Sequence, residues 1–195
     1  MDLGTEASIR ALFCDSPLAL EIKEVIEYMG DQINDAHWDK DKRWQQLYTH
    51  HVDTRSIIYT WTEAGDTISE TLTTDYTPLE LTSRVYQVVD KIIKHLNNPK
   101  GINHGPKMKV VRVMLEKLKA GGVIPPHIED GNLLLSRRFY FVIQTNEGHA
   151  FTVDGVDSSF EEGFCYELNN AKTHSVINNG SQDSINLICD IQLIE

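Results

Sequence analysis

Cysteine is scarce in this chain: three residues in 195, at Cys14, Cys165 and Cys189. Three scattered cysteines make neither a disulfide framework nor a cysteine-rich zinc site, which suits a reducing compartment. Long apolar runs are missing too. No stretch approaches the roughly 20 residues that cross a bilayer, and the start, MDLGTEASIRALF, lacks the apolar core of a signal peptide. A cytoplasmic protein without a membrane partner is therefore expected. Cations are the third shortage. Eighteen Lys and Arg face 29 Asp and Glu, for a net charge of -11, and that balance argues against nucleic acid, whose phosphates require clustered cations. No Gly-rich phosphate loop, Ser-His-Asp arrangement or Cys-x-x-Cys pair is present. The length suits one domain.

What is present divides near residue 106. Before it, PLALEIKEVIEYMGDQIND (17–35) and PLELTSRVYQVVDKIIKHL (78–96) carry apolar residues at three- and four-residue spacings, the mark of helices buried along one face. Ser16 is a candidate cap for the first and Thr77 for the second. Between them, SIIYTW reads as a strand closed by Ala64-Gly65-Asp66. After residue 106, short apolar runs alternate with Gly, Asn and Asp punctuation: KVVRVML, VIPPHI, RRFYFVIQT, HAFTV, FCYEL, THSVI and INLICDIQLI. Strands at that spacing predict a β-sandwich or barrel, and Asp154-Gly155 marks a tight hairpin. The expected organisation is a single domain, 1–195. In it a helical and mixed part, 1–106, packs on the outside of a β core, 107–195.

His127 and Glu129 flank Ile128 after a predicted strand, so alternation puts both side chains on one face. His174 follows in a later strand. Two histidines and one carboxylate are the ligand set of non-haem Fe(II) oxygenases, with coordination positions left open. With eight histidines in the chain, this spacing alone favours ordinary surface or satisfied histidines. His50-His51 and His104 read as solvated loop residues, Trp38 and Trp61 as packing, Cys165 and Cys189 as small buried hydrophobes, and Asn169-Asn170 as a turn.

In combination the motifs carry more. The R-x-M-L strand at Arg112, the Gly121-Gly122 to Gly131 turn that holds Pro126-His127-Ile128-Glu129, the Arg138 strand, Glu167-Leu168-Asn169-Asn170, His174-Ser175-Val176 and the closing Leu187-Ile188-x-Asp190 together resemble the catalytic domain of the aspartyl/asparaginyl β-hydroxylase family. The likeness runs through residues 109–191, with a weaker echo in RWQQLYTHHVDTRSIIYTW. It implies a mainly β (α+β) fold, a double-stranded β-helix or cupin-like jelly roll with flanking N-terminal helices. It also implies Fe(II) and 2-oxoglutarate as cofactors, and O2 and an amino-acid or peptidyl substrate as partners. The reaction implied is hydroxylation of an Asp-, Asn- or Pro-like residue.

Carried over residue by residue, His127, Glu129 and His174 hold the metal, with Asp130 as the neighbouring carboxylate. Arg138, Tyr140 and Ser184 fall at co-substrate positions. Arg137, Arg55 and Trp44 are the substrate candidates. Two departures stand out. Tyr140 replaces a histidine, and its O–H still donates to a carboxylate. Ser184 replaces an arginine that clamps the far carboxylate of 2-oxoglutarate, and a hydroxyl does not match a guanidinium fork. Arg138, Arg137, Arg112 or Arg55 would then supply the missing cation, Arg138 first. The alternative is a metal-binding jelly roll that has lost 2-oxoglutarate turnover. A metal-free structural cupin is the third reading, and the intact His127, Glu129 and His174 set speaks against it.

Overall fold

The strands Arg137–Gln144 and Phe164–Leu168 are buried on both faces because they lie in the middle of a layered structure. The computed structural model describes residues 8–28, 38, 49–62, 70–72, 79–97 and 107–194. Among these, β1 (Ile9–Cys14), β2 (Thr54–Thr62), β3 (Glu70–Leu72), β4 (Lys107–Leu118), β6 (Arg137–Gln144), β9 (Phe164–Leu168) and β11 (Ser184–Ile194) form one antiparallel sheet in the order β1-β9-β6-β11-β4-β2-β3. The second sheet, β5-β10-β7-β8, is made of β5 (Val123–His127), β7 (His149–Val153), β8 (Val156–Ser158) and β10 (His174–Asn178). This is the jelly-roll sandwich expected. Trp44, His104 and Thr77 lie outside the described residues.

Side-chain alternation on the large sheet separates two cores. Outward, Ile57, Val113, Leu115, Phe139, Phe141, Leu187 and Cys189 meet α1 (Ser16–Tyr28) and α2 (Leu79–Asn97). α2 buries Leu81, Val85, Val88, Val89 and Ile92, the stripe its spacing predicts. Each such side chain contributes about 1.5–3 kcal/mol on burial. Inward, Ile58, Met114, Tyr140, Val142 and Ile188 face Ile124, Phe151, Val153 and Val176 of the small sheet.

Three features differ from expectation. The cap of α1 is Asp15 rather than Ser16: its Oδ1 accepts the Leu18 N–H at 3.1 Å, and Lys91 of α2 pairs with the same carboxylate. β1 and β3 join β2 in the large sheet, so strands from the first 106 residues continue the β core. A one-turn helix, α3 (Gly131–Leu134), follows Asp130. The Asp154-Gly155 hairpin forms between β7 and β8, with φ of 54° and 77°, as a two-residue turn requires.

Candidate metal centre

His127 ends β5 and His174 begins β10. The two are direct cross-strand partners, with ring centroids 4.2 Å apart. Each is oriented through its Nδ1, which faces a backbone carbonyl: Pro125 O at 2.8 Å for His127 and Lys172 O at 2.9 Å for His174. A carbonyl only accepts, so Nδ1 carries the proton and Nε2 is left with a lone pair, the usual outer support of a metal-binding imidazole. Both Nε2 atoms are buried and have no hydrogen-bond partner among the described residues.

Glu129 comes two residues after His127, past the strand end, and still turns inward: it is 5% exposed, and its Oε1 lies 3.9 Å from His174 Nε2. One ligand atom from each of His127, Glu129 and His174 falls within 4.8 Å of the others. Asp130 is exposed at the start of α3, outside this group. Burial disfavours charge on Glu129, yet Arg138 and Arg112 overcome it and bring the carboxyl down to about 2. Burial also lowers His127 and His174, favouring the neutral, ligating form. Two unpartnered imidazole nitrogens beside a charged carboxylate fit a divalent ion.

Arg138 is almost fully buried and reaches this group, but its donors are engaged. Nε and Nη2 fork onto Asp190 at 2.8 and 2.9 Å, and Nη1 donates to Glu129. Arg138 thereby braces Glu129 and Asp190 against each other. Arg112, opposite Asp190 in the β4–β11 register, is also fully buried, with its guanidinium 4.1 Å over Trp61. Tyr140 faces inward, packed edge-on to Phe151, and its hydroxyl is pushed up chiefly by burial. Ser184 is fully buried at the opposite end of β11. Its Oγ, Asn186 Oδ1 and His149 Nε2 have no partner among the described residues.

Arg137 and Arg55 both lie on the outward face of the large sheet. Arg137 shares the outer face of β6 with Phe139 and donates to Glu167, which also takes Arg10. Arg55 alternates with Ser56 and shares the outward face with Ile57, on the side of the helices. The pair His50-His51, expected in solvent, instead packs on the site. His51 is 3% exposed and His50 stands against His127 at 4.0 Å. Asn169 makes the expected turn, its Oδ1 accepting Ala171 N–H, whereas Asn170 is buried and donates to Leu133 O and Ser136 O. Arg112 and Asp190 sat in recognisable strand motifs. The cross-strand register that brings them together was the part a linear reading could not supply.

The aspartyl/asparaginyl β-hydroxylase family model matches residues 19–193. The chain belongs to that family. As a family member it is a hydroxylase that uses Fe(II) and 2-oxoglutarate. Solved structures share its fold at low identity. A Trichoplax adhaerens prolyl hydroxylase in complex with a hypoxia-inducible-factor peptide fragment has a TM-score of 0.61 at 10% identity, over 94% of this chain and 82% of that one. A viral collagen prolyl hydroxylase from Paramecium bursaria Chlorella virus 1, in a 2-oxoglutarate complex, gives 0.60 at 11% identity, over 99% of each chain. A Pseudomonas putida prolyl-4-hydroxylase gives 0.56 at 11%, over 96% and 92%. No curated protein matches this hydroxylase by sequence. Among its described residues, no helix is long and apolar enough to cross a membrane.

Proposed function

We propose that this hydroxylase oxidises an aliphatic carbon of an amino acid, free or within a peptide, with His127, Glu129 and His174 as its metal ligands. The observation that carries this reading is the pair of buried, unpartnered Nε2 atoms beside a carboxylate that Arg138 keeps ionised. When bound, Fe(II) with 2-oxoglutarate supplies O2 activation coupled to formation of succinate and CO2. The chain's own share is placement and water exclusion. Pro125 O and Lys172 O fix the two imidazole tautomers. Glu129 fills the third ligand position, so hydroxylation is favoured over halogenation, which needs that position for a halide. Arg112, fully buried, within 4.0 Å of Asp190 and near enough to Glu129 to lower it, adds to the positive charge that keeps the carboxylates of the site ionised. Ser184, with His149 and Asn186, would give the far end of a bound diacid neutral polar contacts in place of a guanidinium.

A second reading is a metal-binding protein without 2-oxoglutarate turnover. Ser184 at the clamp position and the engagement of Arg138 by Asp190 and Glu129 favour it. Anaerobic Fe(II) titration tests the site: wild type is expected to bind one ion, and His174→Ala to weaken binding by more than about 100-fold. Succinate release from 2-oxoglutarate, with products from an amino-acid and peptide panel examined for one added oxygen atom, tests the reaction. Tight iron binding with no succinate in any mixture would leave the second reading.

A further inference from the structure

Four imidazoles, twice the number that the proposed iron site uses, converge at the end of β5. His50 and His51 lie on the 3-10 turn Thr49–His51 that leads into β2 and packs on β5. The His50 ring is 4.0 Å from that of His127 and 4.5 Å from that of His51, and His51 stands edge-on to His127 at 5.6 Å. One ring nitrogen from each of the three falls within 4.8 Å of the others, the same closeness that His127, Glu129 and His174 show. His51 is buried, its carbonyl is held by the Thr54 hydroxyl at 2.8 Å, and its Nδ1 lies 3.4 Å from Glu116 Oε2. A carboxylate behind one ring nitrogen raises the basicity of the other, as in carboxylate–histidine–zinc arrangements.

His127 belongs to both sets. Its Nδ1 faces Pro125 O, so Nε2 is its single ligating atom, and one lone pair serves one ion. We propose that His50, His51 and His127 form a second metal seat, a three-imidazole site for Zn(II) or Cu(II). It competes with the His127–Glu129–His174 seat for the shared histidine. The donor chemistry separates the two. Three neutral imidazoles without a carboxylate suit zinc and copper, while the carboxylate-bearing set suits Fe(II). The inference rests on the iron-site reading only through His127.

The test removes the inner seat and keeps the outer one. The full chain carrying His174→Ala and Glu129→Gln is titrated with Zn(II) against a chromophoric chelator, and with Cu(II) followed by electron paramagnetic resonance. Zinc affinity is expected to stay within about tenfold of wild type, and adding His50→Gln to lower it by more than about 100-fold, with loss of a nitrogen coupling from the copper spectrum. Equal zinc affinity in the double and triple variants would overturn the proposal. In the wild-type background, His50→Gln is expected to weaken Zn(II) and leave Fe(II) affinity unchanged; parallel loss of both would make His50 a ligand of one common site, which also overturns it. The iron reading fails on a different result, Fe(II) binding that ignores His174→Ala.

Discussion

Arg138 carries three of the hydrogen bonds that hold the site in shape, two to Asp190 and one to Glu129. All three side chains are buried, so neither carboxylate has water to replace a lost partner. Removing one member of such a buried ion network costs about 3–5 kcal/mol, because charges stay behind uncompensated. Arg138→Met is therefore expected to lower unfolding stability by that amount in urea denaturation. In Arg138→Lys the charge survives but the fork does not, and an intermediate loss is expected. At this scale the ligand residues were legible in the sequence, since a His-x-Glu pair, a distal histidine and their strand motifs share one line of text. His51 and Glu116 were not. A polar histidine pair in a polar stretch reads as solvent-facing, and only the approach of the turn before β2 to β5 buries it. Likewise, the role of Arg138 depends on Asp190, 52 residues away across a strand boundary.

The elements are joined at a few points of close backbone approach. Gly163, just before β9, has φ of +82°, and a Cβ there would stand 2.6 Å from Ser16 Cα at the start of α1. Its N–H donates to Val142 O and its O accepts Asp15 N–H, so the contact joins β6, β9 and the helix cap. Gly163→Ala meets both a left-handed φ and a backbone clash. A loss of more than about 1 kcal/mol is expected in chemical denaturation, with the outer helical layer loosening first in hydrogen exchange. Central strands and the two helices were legible because a strand buried on both faces is a continuous apolar run and a helix buried on one face has a stripe. β1 was missed because IRALFC is short, lies at a sheet edge and mixes exposed with half-buried positions. α3 is a single turn whose Asp130 cap makes no side-chain bond, so no capping signal marks it.

Among the described residues, His50, His51, His127, His149 and His174 are buried or half-buried. His51, His127, His149 and His174 are all lowered by burial. For His149 burial outweighs the pull of Glu116 and brings the imidazole from 6.5 to about 4. Its folded value lies below its unfolded one, so the unfolded chain takes up the proton first. Stability is whole above pH 6.5 and falls as pH drops from 6.5 towards about 4. At about 1.4 kcal/mol per unit, this one group accounts for a loss of up to about 3 kcal/mol. Urea melts of wild type and His149→Gln across that range check it: the variant is expected to show the shallower slope.

The end of the sandwich away from the metal centre is laced shut. Asn178 is fully buried and its amide donates to Leu118 O, Lys119 O and Gln182 O, while its Oδ1 takes the Asn146 amide and Gly180 N–H. Gly148 and Gly180 there pack so closely that a Cβ on the first would meet the backbone of the second at 2.3 Å. One amide, that of Asn178, spans carbonyls at the end of β4 and at Gln182 just before β11, so its loss would free both connections at once and leave three carbonyls each short of a donor.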